Sequence, residues 1–101
     1  MKVSSRVTEL PVVLRAADAA GASVTSRAAL GLSWISLADP TKADSLRRSL
    51  APRACTVHDG AEHLSSPWPA VDAGALALMQ RIKIRFDPHR TFRPGAFVGG
   101  I

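Results

Sequence analysis

Nothing narrows the fold of this chain more than residues 71–86 and the break that ends them. Val71, Ala75, Leu78, Met79, Ile82 and Phe86 recur at helical spacing, with Gln80, Arg81, Lys83 and Arg85 between them. That spacing predicts an amphipathic helix with one buried face. Asp72 is placed as its N-cap, where a carboxylate accepts orphan backbone N–H groups, and the cations of the second half suit the negative end of the helix dipole. Pro88 enforces the stop, because the residue before a proline is pushed out of the α region and the proline has no N–H to donate. Pro94-Gly95 then fits a type II turn, in which proline presets φ at the second position and glycine accepts positive φ at the third. The chain leaves a helix, turns twice, and carries Phe92, Phe97, Val98 and Ile101 into a short apolar tail.

Upstream, breakers divide the chain into short elements. Residues 2–4 read as a strand. Thr8 is then expected as a helix N-cap with Glu9 and Pro11 in the first turn, Leu10, Val13, Leu14 and Ala17 as the buried stripe, and Gly21 just past the end. Residues 24–27 and 30–37 read as two strands around a turn. The second is apolar on much of both faces, as a central strand would be. Asp39-Pro40-Thr41 opens a second helix to about Leu50, with Thr41 as cap and Asp44, Arg47 and Arg48 pointing outward. Pro52 ends it. Residues 54–57 give a fourth strand and 61–64 a short fifth, joined at Asp59-Gly60, a dipeptide suited to a tight hairpin. Residues 65–69, with prolines on both sides of Trp68, read as an extended linker. The order is that of an α+β, ferredoxin-like sandwich, an antiparallel sheet with helices on one face. Residues 1–70 form this domain, and 71–101 supply its C-terminal helix and docking tail.

The run LMQRIKIRFDPHRTFRPGAFVGGI, residues 78–101, contains the pattern RIK..FDP...F.PG..VGGI. It resembles the carboxyl-terminal signature of FAD-linked oxidases of the vanillyl-alcohol oxidase type, and among them the FAD-binding subunit of glycolate oxidase. KVSSRVTELPVVL, GLSWISL and LRRSLAPRACTV resemble, less tightly and in the same order, the earlier segments of that subunit's C-terminal domain. The resemblance therefore covers nearly the whole chain. It implies the substrate-side C-terminal domain of an FAD-dependent 2-hydroxy-acid oxidoreductase, in which hydride passes to the flavin and electrons leave through partner subunits. The family's FAD-binding domain has no counterpart in these residues. Implied partners are thus an FAD-binding domain or subunit and an iron–sulfur electron-transfer subunit, and the chain is expected to be inactive alone. Arg93, Pro94 and Gly95 are the cofactor-side residues that the resemblance selects, and Arg93 stands where the family usually has asparagine.

Composition bounds the alternatives. At 101 residues the chain is one domain's length, able to bury roughly two-thirds of its unfolded surface. The net charge of +5 comes mostly from arginine and favours an anionic partner of some kind. No basic run exceeds Arg47-Arg48 and no aromatic residue is interleaved with arginine as a base-stacking platform requires, so nucleic acid is not the expected partner. One cysteine, Cys55, permits no internal disulfide and reads as a buried small hydrophobe. The amino end is not expected to be a signal peptide, since Glu9, Pro11 and Arg15 cut its apolar run, and no apolar run reaches the ~20 residues that a membrane span needs. The expected setting is cytoplasmic.

The remaining candidates are weaker. His58 and His63 flank the expected hairpin, His89 stands apart, and without a third nearby ligand no metal site is expected. Asp59 and Glu62 suit local ion pairs. No nucleophile elbow or phosphate loop occurs, and Gly99-Gly100 precedes no helix. Arg81, Lys83 and Arg85 read as a solvated helix face. Taken alone, residues 92–95 are either a flavin-edge contact, with Arg93 facing a substrate carboxylate, or a plain turn with a solvated cation. A second reading of the whole is a non-catalytic, basic ferredoxin-like binding module, or a decayed gene remnant. Exposure of Phe92, Phe97 and Ile101 marks a missing interface, and their burial marks a self-sufficient module.

Overall fold

Strand β1 (Lys2–Ser4) is only three residues long, yet it is joined on both sides. Val3 lies opposite Ser33 of one neighbour and opposite Cys55 of the other. Those neighbours are β3 (Leu32–Ser36) and β4 (Ala54–Thr56), and β2 (Ser23–Arg27) extends the sheet beyond β3, with Val24 opposite Ile35. All pairings are antiparallel and the strand order is β2-β3-β1-β4. The structure is a computed structural model that describes residues 1–101 apart from the side chain of His63. It divides the chain into two compact units, Met1–Pro67 and Trp68–Ile101.

In the first unit, helix α1 (Leu10–Ala19) follows β1 and helix α2 (Ala43–Leu50) follows β3. The order β1-α1-β2-β3-α2-β4 with this sheet order is the α+β, ferredoxin-like sandwich. Strand alternation selects the covered face: Val3, Ser33, Ile35 and Cys55 are buried, whereas Ser4, Trp34 and Ser36 are exposed. Val13 and Ala17 of α1 and Leu46 and Leu50 of α2 close over that face and complete the core. Buried Ser33 is satisfied by the Ser26 hydroxyl at 3.0 Å, so the polar group in the apolar layer has a partner. β2 is an edge strand whose residues are exposed except for half-buried Val24. Among the described residues no helix is long and apolar enough to cross a membrane.

Several expected details differ. Thr8 is not the cap of α1. The chain enters through a 3-10 turn over Val7–Glu9, and the Arg6 N–H donates to Glu9 Oε2 at 2.9 Å. Glu9 also receives Arg53 Nη2 at 2.9 Å, and its carboxyl is held below the usual range first by the Arg6 amide and then by Arg53. Leu14 is 45% exposed, so the buried stripe of α1 is narrower than expected. Asp39, not Thr41, caps the second helical segment, accepting the Thr41 N–H and hydroxyl, because a carboxylate two residues upstream reaches the first free donor. Arg47 does not point freely outward, since its Nη1 donates to the Ser66 carbonyl at 2.7 Å. No strand forms over residues 61–64. Gly60, in the left-handed region at φ 72°, leads into a 3-10 turn over Ala61–His63, and the Val57 amide pairs with the Pro67 carbonyl at 2.8 Å.

The expected strand over 30–37 also starts late. Leu30 belongs to a 3-10 turn (Ala28–Leu30), and Gly31 follows it at φ 63°. Gly31 is packed against the end of β1: its carbonyl accepts the Ser5 N–H at 2.9 Å, and a Cβ there would fall on the Ser5 carbonyl oxygen. Both the positive φ and the close approach call for glycine. Gly31→Ala should lower unfolding stability by about 2–4 kcal/mol, the sum of a left-handed alanine and a displaced β1 end. Urea titration checks this, and an unchanged midpoint would count against the packing described.

Candidate functional site

The second unit is built on helix α3 (Ala73–Phe86). As the sequence predicts, Asp72 is its N-cap, with carboxylate oxygens 2.8 Å from the Gly74 amide and 3.2 Å from the Ala75 amide. The expected buried face is not buried. Leu78, Ile82 and Phe86 are 53, 50 and 80% exposed, and no residue of α3 is buried.

The one buried residue of this unit is a carboxylate. Asp87, 5% exposed, sits immediately past the last turn of α3. Its own N–H closes the helix onto the Lys83 carbonyl, while its side chain gathers the backbone of the next turn. Oδ1 accepts the Thr91 N–H at 2.6 Å and Oδ2 the Phe92 N–H at 3.0 Å. Lys83, one helical turn back, pairs with Oδ2, donates to the Phe92 carbonyl at 2.8 Å, and lies 5.9 Å from the centre of the Phe92 ring. The Asp87 carboxyl is pushed down to about 2, first by the Lys83 hydrogen bond and then by the Thr91 and Phe92 amides, against the opposing effect of burial. Lys83 is therefore not part of a solvated face. Arg81 and Arg85 are exposed, as expected of them.

This carboxylate clamp fixes where residues 92–95 begin. Arg93 follows at φ 33°, a region that non-glycine residues seldom occupy and that asparagine tolerates better than arginine. Gly95 is at φ 82° and the Ala96 N–H returns to the Arg93 carbonyl at 3.3 Å, as a type II turn requires. The tail then folds back within its own unit. Phe97 meets Trp68 edge-on at 4.7 Å between ring centres, and Gly99 passes so close to Leu76 that a Cβ would lie 2.5 Å from its Cδ1. Phe92 is nonetheless 72% exposed and Phe97 47%, while Ile101 is partly buried.

Arg93, Pro94 and Gly95 are all exposed. A concave surface of about 400 Å³ in this unit has Lys83, Asp87, Arg90, Gly99 and Gly100 among its walls, and the three candidate residues are not among them. A Cβ on Gly95 would meet nothing within 4 Å. The turn stands exposed and lines none of that concave surface, so it forms no cradle for FAD by itself.

The other candidates are dispersed. His58 and His89 are exposed, and His63 lies outside the described residues as far as its side chain is concerned. Among the described residues no group of three His, Cys, Asp or Glu side chains is placed to hold a metal ion. Cys55 is buried in the first unit and burial pushes its thiol up, away from the reactive form. Asp87 is the anchoring residue that sequence reasoning passes over. Its place before Pro88 reads as a helix stop, and a carboxylate at a helix C-terminus opposes the dipole. The Lys83–Asp87 spacing of four residues is the available signal, although that order of charges is the weaker one on a helix surface.

No family model matches the chain, and neither a curated protein nor a solved structure matches it.

A carboxyl whose folded value lies below its unfolded value stabilises the folded state when it is ionised. The contribution of Asp87 is complete above the ordinary carboxylate value of about 3.9 and is lost as the pH falls from there through about 2. The amide proton resonances of Thr91 and Phe92 should titrate together with a midpoint near 2, and Asp87→Asn should abolish that titration. NMR across pH 5 to ~1.5 checks this, and a shared midpoint near 3.9 would show that the clamp is not formed.

Proposed function

We propose that this chain is the substrate-side C-terminal domain of an FAD-dependent, glycolate-type 2-hydroxy-acid oxidoreductase, inactive until it meets a flavin-binding domain. The observation that carries the reading is the Arg93 turn. It lies within the segment 78–101 that resembles the oxidase signature, and its start is pinned by two backbone amides on the Asp87 carboxylate. An exposed guanidinium whose anchor is fixed in this way suits recognition of a planar carboxylate, where bidentate geometry matters. The exposed rings of Phe92 and Phe97 beside it support a surface that is completed by another chain or domain.

In the proposed assembly FAD, held by the other domain, supplies the two-electron oxidation. The contribution of this chain is confined to position: Arg93 holds the carboxylate of the 2-hydroxy acid, and the Asp87 clamp anchors the backbone from which its side chain reaches. The Arg93, Pro94 and Gly95 contact is to the edge of the site. An iron–sulfur subunit is the proposed route for electrons, the partners are proteins rather than nucleic acid, and the setting is cytoplasmic. A single buried cysteine is compatible with a reducing compartment.

The test is to mix this chain with the FAD-binding domain of a glycolate-oxidase-type enzyme and follow glycolate-dependent bleaching of the flavin. Activity is expected only in the mixture. Arg93→Ala should raise KM for glycolate by about 10–100-fold, the value of one charge-assisted pair, with a smaller effect on kcat. Arg93→Lys should recover part of the loss. A chain that neither associates with the flavin domain nor alters its activity is instead a non-catalytic basic module of ferredoxin-like fold.

A further inference from the structure

The side of α3 away from the tail carries a pattern that the flavin reading does not use. Leu76 lies against Gly99, and Lys83 is held by Asp87 and the Phe92 carbonyl, so this side of the helix meets its own unit. On the other side Ala75, Leu78, Ile82 and Phe86 form a stripe at three- and four-residue spacing. Leu78, Ile82 and Phe86 are at least half exposed, and the stripe runs about three helical turns. Arg81 and Arg85, one turn apart and both exposed, border it along one side, and among the described residues neither has a carboxylate partner.

We propose that this stripe is a docking seam for an amphipathic helix of a partner protein that carries Asp or Glu beside its own apolar face. Charge selects the occupant. The second unit holds five Lys and Arg against two Asp. Both of those carboxylates are engaged, Asp72 in capping α3 and Asp87 in the clamp with Lys83. A second copy that laid its own stripe on this one would therefore bring Arg81 and Arg85 close to the same two cations, with no free carboxylate in that unit to answer them. A nucleic acid would meet the arginines and leave Leu78, Ile82 and Phe86 in water. A helix with an apolar stripe at the same spacing and acidic residues along one border satisfies both features at once, in the manner of helix-in-groove recognition. The seam is independent of the flavin reading, because it uses none of Arg93, Pro94 or Gly95.

The test uses the full chain and three fluorescein-labelled peptides of about 18 residues, long enough to be helical when bound. The first has Leu at i, i+3, i+4 and i+7 spacing with Glu beside it, the second has Lys in place of Glu, and the third keeps the Glu composition with the Leu spacing scrambled. Fluorescence anisotropy should show the patterned acidic peptide binding at least about tenfold tighter than either control. Arg81→Glu/Arg85→Glu should reverse the preference toward the Lys peptide. Leu78→Ser/Ile82→Ser should erase the difference between patterned and scrambled acidic peptides. All four positions are exposed, so far-UV circular dichroism should be unchanged in both variants. Equal binding of the three peptides, or none up to ~1 mM, overturns the proposal. So does tighter binding to phosphatidylserine vesicles or to duplex DNA than to the acidic peptide, or dimerisation of the chain that Arg81→Glu/Arg85→Glu leaves unchanged.

Discussion

Two strands and both helices of the first unit meet at Val3. The residue is fully buried, stands between Ser33 and Cys55 in the sheet, and is covered by side chains from α1 and α2. A strand of three residues has little pairing energy of its own, so its place depends on that one inward side chain and on the strands beside it. A shift of register by one residue would turn Val3 outward and bring Lys2 and Ser4 into an apolar layer. That is why Gly31 is held so tightly against Ser5. The corner between the 3-10 turn and β3 stops β1 from sliding.

The second unit obeys a different rule. It has no buried apolar side chain, and its order comes from a carboxylate that has lost its water and regained the equivalent in hydrogen bonds. Burying a charge is tolerable only when it is paired and its lone pairs are answered, and Asp87 has Lys83 and two amides. The arrangement gives direction to the chain leaving α3, but it contributes little cohesion of the kind an apolar core provides. The polar clamp and the exposed rings around it belong together: this part of the molecule is shaped in advance and left uncovered.

Much of the fold is legible because it is written in punctuation. The alternation of Ser33 and Ile35 against Trp34 and Ser36, the apolar spacing in both helices of the sandwich, and the breakers Gly21, Pro40 and Pro52 together give the strand and helix order. The cap expected at Thr41 misses because Asp39 reaches the free amide instead, and the one expected at Thr8 misses because the chain enters α1 through a 3-10 turn and no side chain caps the helix. The expected fifth strand fails for a similarly local reason: three or four residues after a left-handed glycine have no partner strand to define them. The candidate site is half legible. Pro94-Gly95 announces a turn in any sequence, whereas nothing local says that a carboxylate six residues before Arg93 is buried. The apolar spacing of α3 does mark a stripe. Periodicity reports that a face is apolar and is silent on whether the same chain covers it.

The outer strand β2 bears on how copies of this protein meet one another. Its exposed residues are Ser23, Thr25, Ser26 and Arg27; Val24 is half-buried against the core, and Ser26 on the same face reaches Ser33 with its hydroxyl. A short polar edge with a charge at its end is a poor template for adding strands from neighbouring chains, while the opposite edge, β4, is only three residues long. Aggregation by cross-β stacking is thereby disfavoured at both ends of the sheet. The self-association risk of this protein is moved from its backbone to the side chains of one helix, where ionic strength governs it: salt that screens the repulsion between arginines on adjacent copies should bring the molecules together, and dilution should part them.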